Sequence, residues 1–390
     1  DEILLASAHL PTNKSPGPDR IPNEMYTKLS KVITPILTKV FNEARGTQEG
    51  LPPRMLEGIT TLLYKKGNRS DPRNYRPITL LNNDYKLMMR VLTKRMNEAV
   101  VQFVSSSQNG FVPDSFLQEN LMRLQLIQQY IEQEDEEAML IFADMEKAFD
   151  RCSWDFIKRG MHALGFGDGF INFINLAYSE DNPPTRQMYV NGYLSRPFPL
   201  GAGIAQGCPI SPLLFLVIAE PLSRLINTNV NIEGVVINGV SHKLAQFADD
   251  STFINRPSDL SPTLAMIKIW CRATSMLENA KKREVLLLGK LKRTFHRYPN
   301  LRARLSVEPA KDGETIRVLG IPMGNDFDLE KWWMNRYTVV KKRMAAWGAL
   351  GSVSLVGRSI LEQAIVWGSV RFWFFALIVP EAVLKLLERD

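Results

Sequence analysis

Apolar residues along the chain follow two kinds of spacing, one helical and one alternating. The helical spacing covers residues 84–104 and about 116–133, and it predicts an amphipathic helix in each place. Alternation runs through residues 185–200, TRQMYVNGYLSRPFPL, and with Asn191-Gly192 at its centre it predicts a β-hairpin. Two short apolar runs flank an acidic turn in residues 242–255, HKLAQFADDSTFIN, which predicts a second hairpin.

Other elements are marked by the residues at their ends. Pro22 suits the first turn of a helix that runs to about Phe41, and Ser211-Pro212 suits the cap and first position of another helix. Further elements are predicted as strands at Ile59 to Tyr64, Met139 to Ala143 and Thr315 to Leu319, and as helices near Trp154, over about 260–277 and from the last strand to the end. Because strands and helices alternate irregularly, an α+β fold is expected rather than a doubly wound sheet.

Composition narrows the class of protein. The 390 residues allow two or three subdomains, and 45% hydrophobic with 23% charged residues is typical of an ordered globular protein. A net charge of +7 and a pI of 9.2 are compatible with a nucleic-acid partner. No apolar stretch approaches the ~18 residues that span a bilayer. The sequence starts at Asp1 without Met, so we expect a segment of a longer polypeptide.

The cysteines and histidines give no sign of a zinc site. Cys152, Cys208 and Cys271 are widely spaced, and the four histidines add no zinc-binding spacing. A reducing intracellular compartment is the simpler interpretation.

Three aspartates are candidate metal ligands. Asp144 follows the predicted strand Met139 to Ala143, and taken alone it is better explained as a capping residue. Asp249 and Asp250 are more informative, because adjacent carboxylates in a partly buried hairpin repel each other and a cation relieves that repulsion. An all-carboxylate ligand set favours a hard ion such as Mg²⁺. Three carboxylates on two β elements suit phosphoryl transfer with two metal ions about 3.5–4 Å apart.

A glycine-rich segment precedes the helix that starts near Ser211. Residues 201–212 read GAGIAQGCPISP and contain three glycines within seven residues. Such glycines either let a ligand approach the backbone closely or form a tight strand-to-helix loop, and the glycines alone favour the loop. The run QGCPISP is more specific than the glycine count.

These segments together resemble the reverse transcriptase of non-LTR retrotransposons of the long interspersed element type, over nearly all of the chain. The matching segments are, in the family's order, SPGPD (15–19), NYRPI (74–78) with LLN (80–82) and DYK (84–86), QNGFVP (108–113), DMEKAFD (144–150), QGCPISP (206–212), FADD (247–250), LGI (319–321) and SLVGR (354–358). The sequence of residues 144–150 suggests an element that also bears an endonuclease.

The resemblance implies a role for individual residues. Asp144, Asp249 and Asp250 would be the catalytic metal ligands, with Met145 as a further metal position. The backbone of Met145 to Ala148 would cradle the triphosphate of the incoming deoxynucleotide. The residues implied to bind that nucleotide are Arg76, Lys147, Ala148, Phe149 and Gln206.

Phe149 matches the family's steric gate against ribonucleotides, and Gln206 lies where the family contacts template and nucleotide. Two alternatives remain open, namely that Phe149 is a core residue and that Arg76 is a surface or capping residue. Asp150 is interpreted as structural rather than catalytic.

Residues 275–284, SMLENAKKRE, depart from the family pattern because the expected glycine and the Ser or Thr are missing. Lys282 is the best match to the general acid that would protonate pyrophosphate, with Lys281 and Arg283 as alternatives.

Basic residues cluster over 281–304 and at Lys341-Lys342-Arg343, and aromatic residues lie nearby at Phe295, Tyr298, Trp332, Trp333 and Tyr337. Basic and stacking groups suit a template–primer channel, although a solvated helix face explains either cluster almost as well. The acidic patch Glu134 to Glu137 is interpreted as a solvated turn.

The resemblance implies a right-hand polymerase whose palm is an antiparallel sheet backed by helices. Its divisions would be an N-terminal extension (1–50), fingers (51–137), palm (138–326) and thumb (327–390). It would be an RNA-directed DNA polymerase that uses two Mg²⁺ or Mn²⁺ ions, an RNA template, a DNA primer or target DNA, and dNTPs. It would have no membrane partner and would be flanked by a domain such as an endonuclease. Target-primed synthesis would place it in the nucleus, and assembly in the cytoplasm.

Two rival functions are a decayed RNA-binding scaffold and an RNA-dependent RNA polymerase. The three retained aspartates argue against the first, and the bulky Phe149 argues against the second. An inactivated copy of such an element stays a further alternative, because residues 275–284 depart from the family pattern. A group II intron or telomerase enzyme fits the order and the sequences of the motifs less well.

Overall fold

The computed structural model describes residues 1–47, 50–348 and 354–389. The α-helices are α1 Glu2–Ala8, α2 Asn23–Lys28, α3 Ser30–Gly46, α4 Asn83–Phe103, α5 Leu117–Gln133, α6 Ala148–Arg151, α7 Trp154–Ala163, α8 Asp168–Ala177, α9 Ser211–Asn227, α10 Leu260–Thr274, α11 Leu291–Thr294, α12 Pro299–Leu305, α13 Leu329–Gly348, α14 Leu355–Leu361, α15 Gly368–Phe374 and α16 Glu381–Arg389. The strands are β1 Glu57–Tyr64, β2 Tyr75–Leu81, β3 Glu137–Ala143, β4 Thr185–Val190, β5 Tyr193–Leu194, β6 Phe198–Pro199, β7 Val235–Ile237, β8 Val240–His242, β9 Leu244–Phe247, β10 Asp250–Asn255, β11 Glu284–Gly289, β12 Ile316–Val318 and β13 Ile321–Met323. None of the helices within these residues has both the length and the apolar character needed to cross a membrane.

The chain divides into two compact units, each assembled from segments that are distant in sequence. The first unit comprises Asp1–Ser115, Asp144–Asn229 and Pro262–Asn279. The second unit comprises Phe116–Ala143, Val230–Ser261 and Ala280–Asp390.

The first unit contains a mixed five-stranded sheet in the order β2-β1-β4-β5, with β6 also paired to β4. Strand β1 runs antiparallel to β2 and parallel to β4. The hairpin predicted at Asn191-Gly192 is confirmed, because Val190 pairs with Tyr193 and both turn residues have positive φ (51° and 87°). Asn-Gly suits this turn since Asn tolerates and Gly favours positive φ.

Helix α9 is the centre of the packing in the first unit. The side chains of its apolar run, Leu213 to Ala219, are buried on all faces, as expected for a helical segment that is apolar all round. The indole N–H of Trp270 in α10 donates to the carbonyl of Ile218 (2.8 Å) and ties the two helices together.

The second unit contains an all-antiparallel sheet in the order β11-β3-β10-β9. Leu140, Ile254 and Leu286 from three of its strands pack in one cluster with Leu124 and Ile127 of α5. An antiparallel sheet backed by a helix therefore agrees with the fold expected from the sequence. A second cluster in this unit joins α13, α15 and α16 through Trp333, Val370 and Val383.

The single helix predicted from Pro22 to about Phe41 is wrong. The structure has two helices, α2 and α3, which are separated at Leu29 (φ −101°, ψ 19°), and Pro22 precedes α2 as its cap. The Asn23 side chain donates to the Pro11 carbonyl (2.7 Å). This bond ties α2 to the N-terminal segment.

Three other boundaries differ from the prediction. Ser211 is the first residue of α9 and not its cap, because its buried side chain lies beside the Tyr178 hydroxyl (3.5 Å) instead of capping the helix. Helix α10 ends at Thr274 rather than near residue 277, since the Thr274 hydroxyl donates to the Trp270 carbonyl and accepts from Met276 N–H. Strand β13 follows β12 across Leu319 and Gly320, both with positive φ (50° and 94°), before the final helices begin.

The interpretation of Glu134 to Glu137 as a solvated turn holds for Glu134 and Asp135, which are exposed in a turn, and is wrong for Glu136 and Glu137. Glu137 begins β3 and accepts hydrogen bonds from Thr294 (2.6 Å) and Tyr298 (2.7 Å), which lower the pKa of its carboxyl. Glu136 pairs with Arg256 (2.8 Å). The patch therefore joins elements that are more than 100 residues apart in sequence.

Candidate active site

The hairpin β9–β10 carries two of the three candidate aspartates. Asp250 pairs with Phe247, and the turn between them contains Ala248, with φ +56°, and Asp249. The buried Gln246 side chain donates to the Ser251 hydroxyl (3.0 Å) and so links the two strands. The structure therefore confirms an acidic turn between two buried strands.

Asn120 in α5 holds this hairpin through a hydrogen bond to its first strand. Its buried side chain donates to the main-chain carbonyl of Gln246 (2.9 Å). Sequence reasoning missed this residue. The available signal was an Asn among the apolar positions of the 116–133 helix, where a buried amide requires a partner.

Asp144 follows β3, whose last residue, Ala143, pairs with Ser251. Beyond β3 the chain pairs with residues 277–279 in the first unit. Asn279 N–H donates to the Asp144 carbonyl (2.9 Å), and Glu146 N–H donates to the Leu277 carbonyl (2.8 Å). These bonds flank the pair Met145 and Glu278. In such a pair the main-chain carbonyl of Met145 points away from residues 277–279.

The loop around Gln206 packs against the segment that follows Asp144. Ile204 N–H donates to the Phe149 carbonyl (2.8 Å), and Gly203 N–H donates to the Cys152 carbonyl (2.8 Å). The Gln206 carbonyl accepts from Thr79 N–H in β2 (3.2 Å). The first unit thus brings together the segments of Phe149 and Gln206, which are 57 positions apart in the printed sequence.

Asp150 lies between these segments. Packing of the surrounding chain raises the pKa of its carboxyl, while nearby Lys147 and a hydrogen bond with the Gln206 side chain oppose that rise. The Asp150 side chain keeps contact with solvent. The contact with Gln206 fits the interpretation of Asp150 as a residue that holds structure.

Two of the three loop glycines are explained by close approach of protein backbone. A Cβ on Gly203, whose φ is +89°, would lie 2.7 Å from the Asp150 carbonyl oxygen. A Cβ on Gly207, whose φ is +117°, would lie 2.8 Å from the Thr79 carbonyl oxygen. Gly201 has open space around it. These contacts support the tight-loop interpretation of the glycines.

The Phe149 ring is packed between two other aromatic rings. It stacks on Phe215 of α9 with centroids 5.2 Å apart and an interplanar angle of 5°. Phe111 meets it nearly perpendicularly at 6.2 Å. Phe149 is half-buried, so one part of its side chain packs and another part faces outward. The alternatives of gate and core residue are therefore not exclusive.

Lys147 and Ala148 form the turn that leads to Phe149. Lys147 is exposed, adopts a left-handed conformation (φ 49°) and precedes the short helix α6, and Ala148 is buried as its first residue. Their roles toward a nucleotide stay predictions.

Arg76 is exposed on β2, three residues before Thr79. Successive strand residues point to opposite faces, so Arg76 and Thr79 face opposite sides of the sheet. Thr79 and Gln206 line a cavity of about 210 Å³ in the first unit. The structure does not bring the Arg76 side chain to this cavity, and its role stays a prediction.

Arg186 lines the same cavity and was not singled out from the sequence. It is 5% exposed, donates to the carbonyls of Leu56 (2.8 Å) and Thr185 (2.7 Å), and passes over Gly58, its strand partner. Burial lowers the pKa of its guanidinium. The signal in the sequence was a charged residue within an alternating strand.

The candidates for the general acid differ in exposure. Arg283 is buried and donates to the Leu305 carbonyl (2.9 Å), so it serves the packing of the second unit. Lys281 and Lys282 are exposed on a short 3-10 turn. The assignment of Lys282 as the general acid stays a prediction. The buried Arg283 is less suited to that role, because it is bonded to the Leu305 carbonyl.

Several basic residues of 281–304 have partners within the second unit. Lys292 pairs with Glu132 (2.8 Å) and Arg293 pairs with Asp135 (2.6 Å). Among the aromatic residues, Trp333 is buried in the helical cluster and Tyr298 donates to Glu137. These contacts favour a structural role for the residues that make them. Lys341, Lys342 and Arg343 are exposed on α13.

The donor atoms of the candidate metal ligands are carboxylate oxygens. Within the described parts of the chain, no three His, Cys, Asp or Glu side chains form a group arranged to hold a metal ion. The donor chemistry of Asp144, Asp249 and Asp250 nevertheless suits a hard divalent ion. The buried thioether of Met145 does not suit such an ion, so this residue would act through its main-chain carbonyl.

Comparison with known proteins identifies similar sequences. Residues 63–323 match the family described as reverse transcriptase (RNA-dependent DNA polymerase). The chain is 24% identical over its whole length to a transposon TX1 149 kDa protein of Xenopus laevis, covering 29% of that protein. It is 31% identical over 57% of its length to the Pol polyprotein of an R2 retrotransposable element from Popillia japonica, covering 31% of that protein. It is 25% identical over 72% of its length to the RNA-directed DNA polymerase from mobile element jockey of Drosophila melanogaster, covering 31% of it.

The chain therefore spans less than a third of the length of these relatives. Among solved structures, apo telomerase from Candida tropicalis matches 70% of this chain and 58% of its own, with 13% identity and a TM-score of 0.42. The family match covers each of the segments that hold the candidate catalytic residues.

Proposed function

This chain belongs to the reverse transcriptase (RNA-dependent DNA polymerase) family, among those of non-LTR retrotransposons, and on that premise we propose that it extends a primer 3′ end with deoxynucleotides on an RNA template. The observation that carries the proposal is the meeting of the Phe149 and Gln206 segments beside the chain that continues from Asp144. Substrate selection and phosphoryl transfer require these groups close together.

The proposed metal ligands are the carboxylates of Asp144, Asp249 and Asp250, with the Met145 carbonyl as a further donor. Strand register supports this set, because Ala143, directly before Asp144, pairs with Ser251, directly after Asp250. Two divalent ions, Mg²⁺ or Mn²⁺, would supply charge neutralisation at the primer 3′-hydroxyl and at the departing pyrophosphate. Asn120 and Gln246 hold the hairpin that presents two of the carboxylates.

The nucleotide would be oriented by residues of the first unit. The backbone from Met145 to Ala148 would face the triphosphate, and Phe149 would lie beneath the sugar. Gln206 would contact the base pair being formed, with its loop anchored to β2 through Thr79. Arg76 and Lys147 would meet the phosphates, and Lys282 would donate the proton to pyrophosphate.

The right-hand architecture is part of the same proposal. The antiparallel sheet β11-β3-β10-β9 would belong to the palm, the hairpin β1–β2 to the fingers, and the helices α13 to α16 to the thumb. The N-terminal extension would brace the fingers motif, because Asp19 N–H donates to the Asn82 side chain (3.1 Å).

The proposed partners follow from the relatives, which are mobile-element proteins. They are an RNA template, a primer or nicked target DNA and dNTPs, with further domains such as an endonuclease in the whole protein. Target-primed synthesis would take place in the nucleus, and assembly with the RNA in the cytoplasm.

Primer extension on poly(rA) with an oligo(dT) primer and Mg²⁺ tests the proposed activity. We expect addition of dTTP in preference to UTP. Robust synthesis of RNA with no DNA product would instead identify an RNA-dependent RNA polymerase. Loss of all synthesis by a folded protein that still binds RNA would identify a decayed scaffold.

A further inference from the structure

The segment Gln108 to Pro113 has no role in the function proposed so far. Its ring-bearing residue, Phe111, has 39% of its surface exposed although it is a large apolar side chain. Its backbone has φ +62°, a left-handed conformation that costs free energy for any residue except glycine. A strained backbone that leaves an apolar ring partly exposed indicates that the ring has a packing partner.

That contact is Phe149. The two rings are nearly perpendicular (84°), with centroids 6.2 Å apart. Phe149 also stacks on Phe215, whose side chain is 1% exposed and therefore forms a fixed floor. Phe149 is thus bounded by one ring beneath it and another at its side.

Helix α9 supports both of the bounding rings. It carries Phe215 directly, and its Glu220 carboxylate accepts from Ser105 N–H (2.8 Å) and the Ser105 hydroxyl (2.7 Å). Near its end, the Asn227 side chain donates to the Ser107 hydroxyl (3.1 Å). The loop that contains Phe111 is therefore anchored at two points to the helix that contains Phe215.

The loop is also stiffened from within. Gly110 N–H donates to the Gln108 side chain (2.8 Å), and the Asn109 side chain donates to the Ser115 hydroxyl (2.8 Å). Both Gln108 and Asn109 are buried. The space available to the Phe149 ring between Phe111 and Phe215 is consequently set by a rigid frame.

We propose that Phe111 is a specificity-determining residue that acts through Phe149, by preventing its ring from moving aside when a ribonucleotide enters. This rests on the proposed function and on Phe149 as the gate. A 2′-hydroxyl can be accommodated only if the gate ring shifts, and discrimination by a clash is lost when the clashing group yields. Phe111 blocks one direction of that shift, and the buried Phe215 blocks another.

The test is a double-mutant cycle on the ratio of kcat/KM for UTP to that for dTTP, on poly(rA) with oligo(dT). Phe149→Ala should raise the ratio about tenfold or more. Phe111→Ala should raise it about threefold or more, with little loss of dTTP use, and Phe111→Leu should have a smaller effect. In the double variant the ratio should equal that of Phe149→Ala, because Phe111 has no ring left to restrain.

The matched control is Phe116→Ala, which removes a ring that is 62% exposed and five positions along the chain. It should leave the ratio unchanged. Thermal melting of each variant checks folding. If Phe111→Ala does not fold, the ratio measured for Phe111→Leu tests the proposal. Alanine keeps the same positive φ as Phe111, so the backbone strain is unchanged between the two.

Three outcomes would overturn the proposal while the proposed function stands. An unchanged ratio in folded Phe111→Ala and Phe111→Leu, beside a raised ratio in Phe149→Ala, rejects the role of Phe111 and leaves the gate and the proposed function standing. Multiplying effects in the double variant show that Phe111 acts independently of Phe149. An unchanged ratio in Phe149→Ala removes the gate itself. Absence of DNA synthesis by the wild-type protein would reject the proposed function.

Discussion

Replacing the loop glycines one at a time tests whether backbone packing, rather than a ligand, requires them. Gly203→Ala places a Cβ 2.7 Å from the Asp150 carbonyl oxygen, at a φ of +89°. The left-handed conformation costs about 1–2 kcal/mol for alanine. The overlap with backbone must be relieved by a local shift, which brings the expected loss of stability to about 2–4 kcal/mol.

Gly207→Ala should behave similarly, since its Cβ would lie 2.8 Å from the Thr79 carbonyl at φ +117°. Gly201→Ala is the matched control from the same loop, because nothing lies within 4 Å of its Cβ. Its stability should stay within about 1 kcal/mol of wild type.

Urea denaturation and primer extension should be measured for all three variants. Gly203→Ala should lose activity as well as stability, because the Gly203 loop is bonded to the segment that carries Phe149. The reasoning is refuted if Gly203→Ala and Gly201→Ala are equally stable. Full stability with lost activity in Gly203→Ala would show instead that a ligand approaches this glycine.

Two further predictions concern pH and salt. Burial, with nearby Asp19, raises the pKa of Asp84 from 3.8 to about 6, so its folded state holds a proton more tightly and the protein loses stability as pH rises between these values. Asp84→Asn should therefore be about 1–3 kcal/mol more stable than wild type at pH 8 and equal to it near pH 4, and the same gain in urea denaturation at both pH values would contradict this. Replacing Lys341, Lys342 and Arg343 together by Ala should lower the slope of log affinity for a primer–template against log salt by about 2–3, and an unchanged slope in a binding titration would place these residues outside the channel. The control pair Lys292→Ala and Arg293→Ala should leave the slope unchanged, because both residues pair with carboxylates of their own unit.

The parts of the fold that the sequence predicted are those specified by local interactions. The Asn191-Gly192 hairpin follows from two residues that adopt positive φ, and the β9–β10 hairpin follows from two apolar runs around a turn. Helix α9 is recognisable because Ser211-Pro212 at its start is followed by the apolar run Leu213 to Ala219. Each of these needs only neighbours within a few residues.

The parts that the sequence did not predict depend on contacts between distant residues. The roles of Glu137 and Arg293 are set by partners about 160 positions away, which no local pattern records. Trp333 was a candidate for base stacking, and only the packing of α13 against α15 and α16 shows that it is a core residue.

The residues of the candidate site also divide into those that the sequence predicted and those that depend on contacts between distant residues. The resemblance selected Phe149 and Gln206, and the structure brings their segments together. Asn120, Arg186 and Phe111 were not assigned roles, because each acts through a residue on another element. Arg283 was an alternative general acid until its hydrogen bond to Leu305 placed it in the packing of the second unit.

The central claim is that the aspartates of the β9–β10 hairpin carry metal-dependent DNA synthesis. Primer extension on poly(rA) with oligo(dT) and Mg²⁺ should be measured for wild type, Asp249→Ala and the control Asp312→Ala, an exposed aspartate of the same unit. Asp249→Ala should abolish synthesis while its melting temperature stays equal to or above that of wild type, because one of several repelling carboxylates is removed. Asp312→Ala should retain full synthesis. Near-normal extension by a folded Asp249→Ala protein would contradict the account.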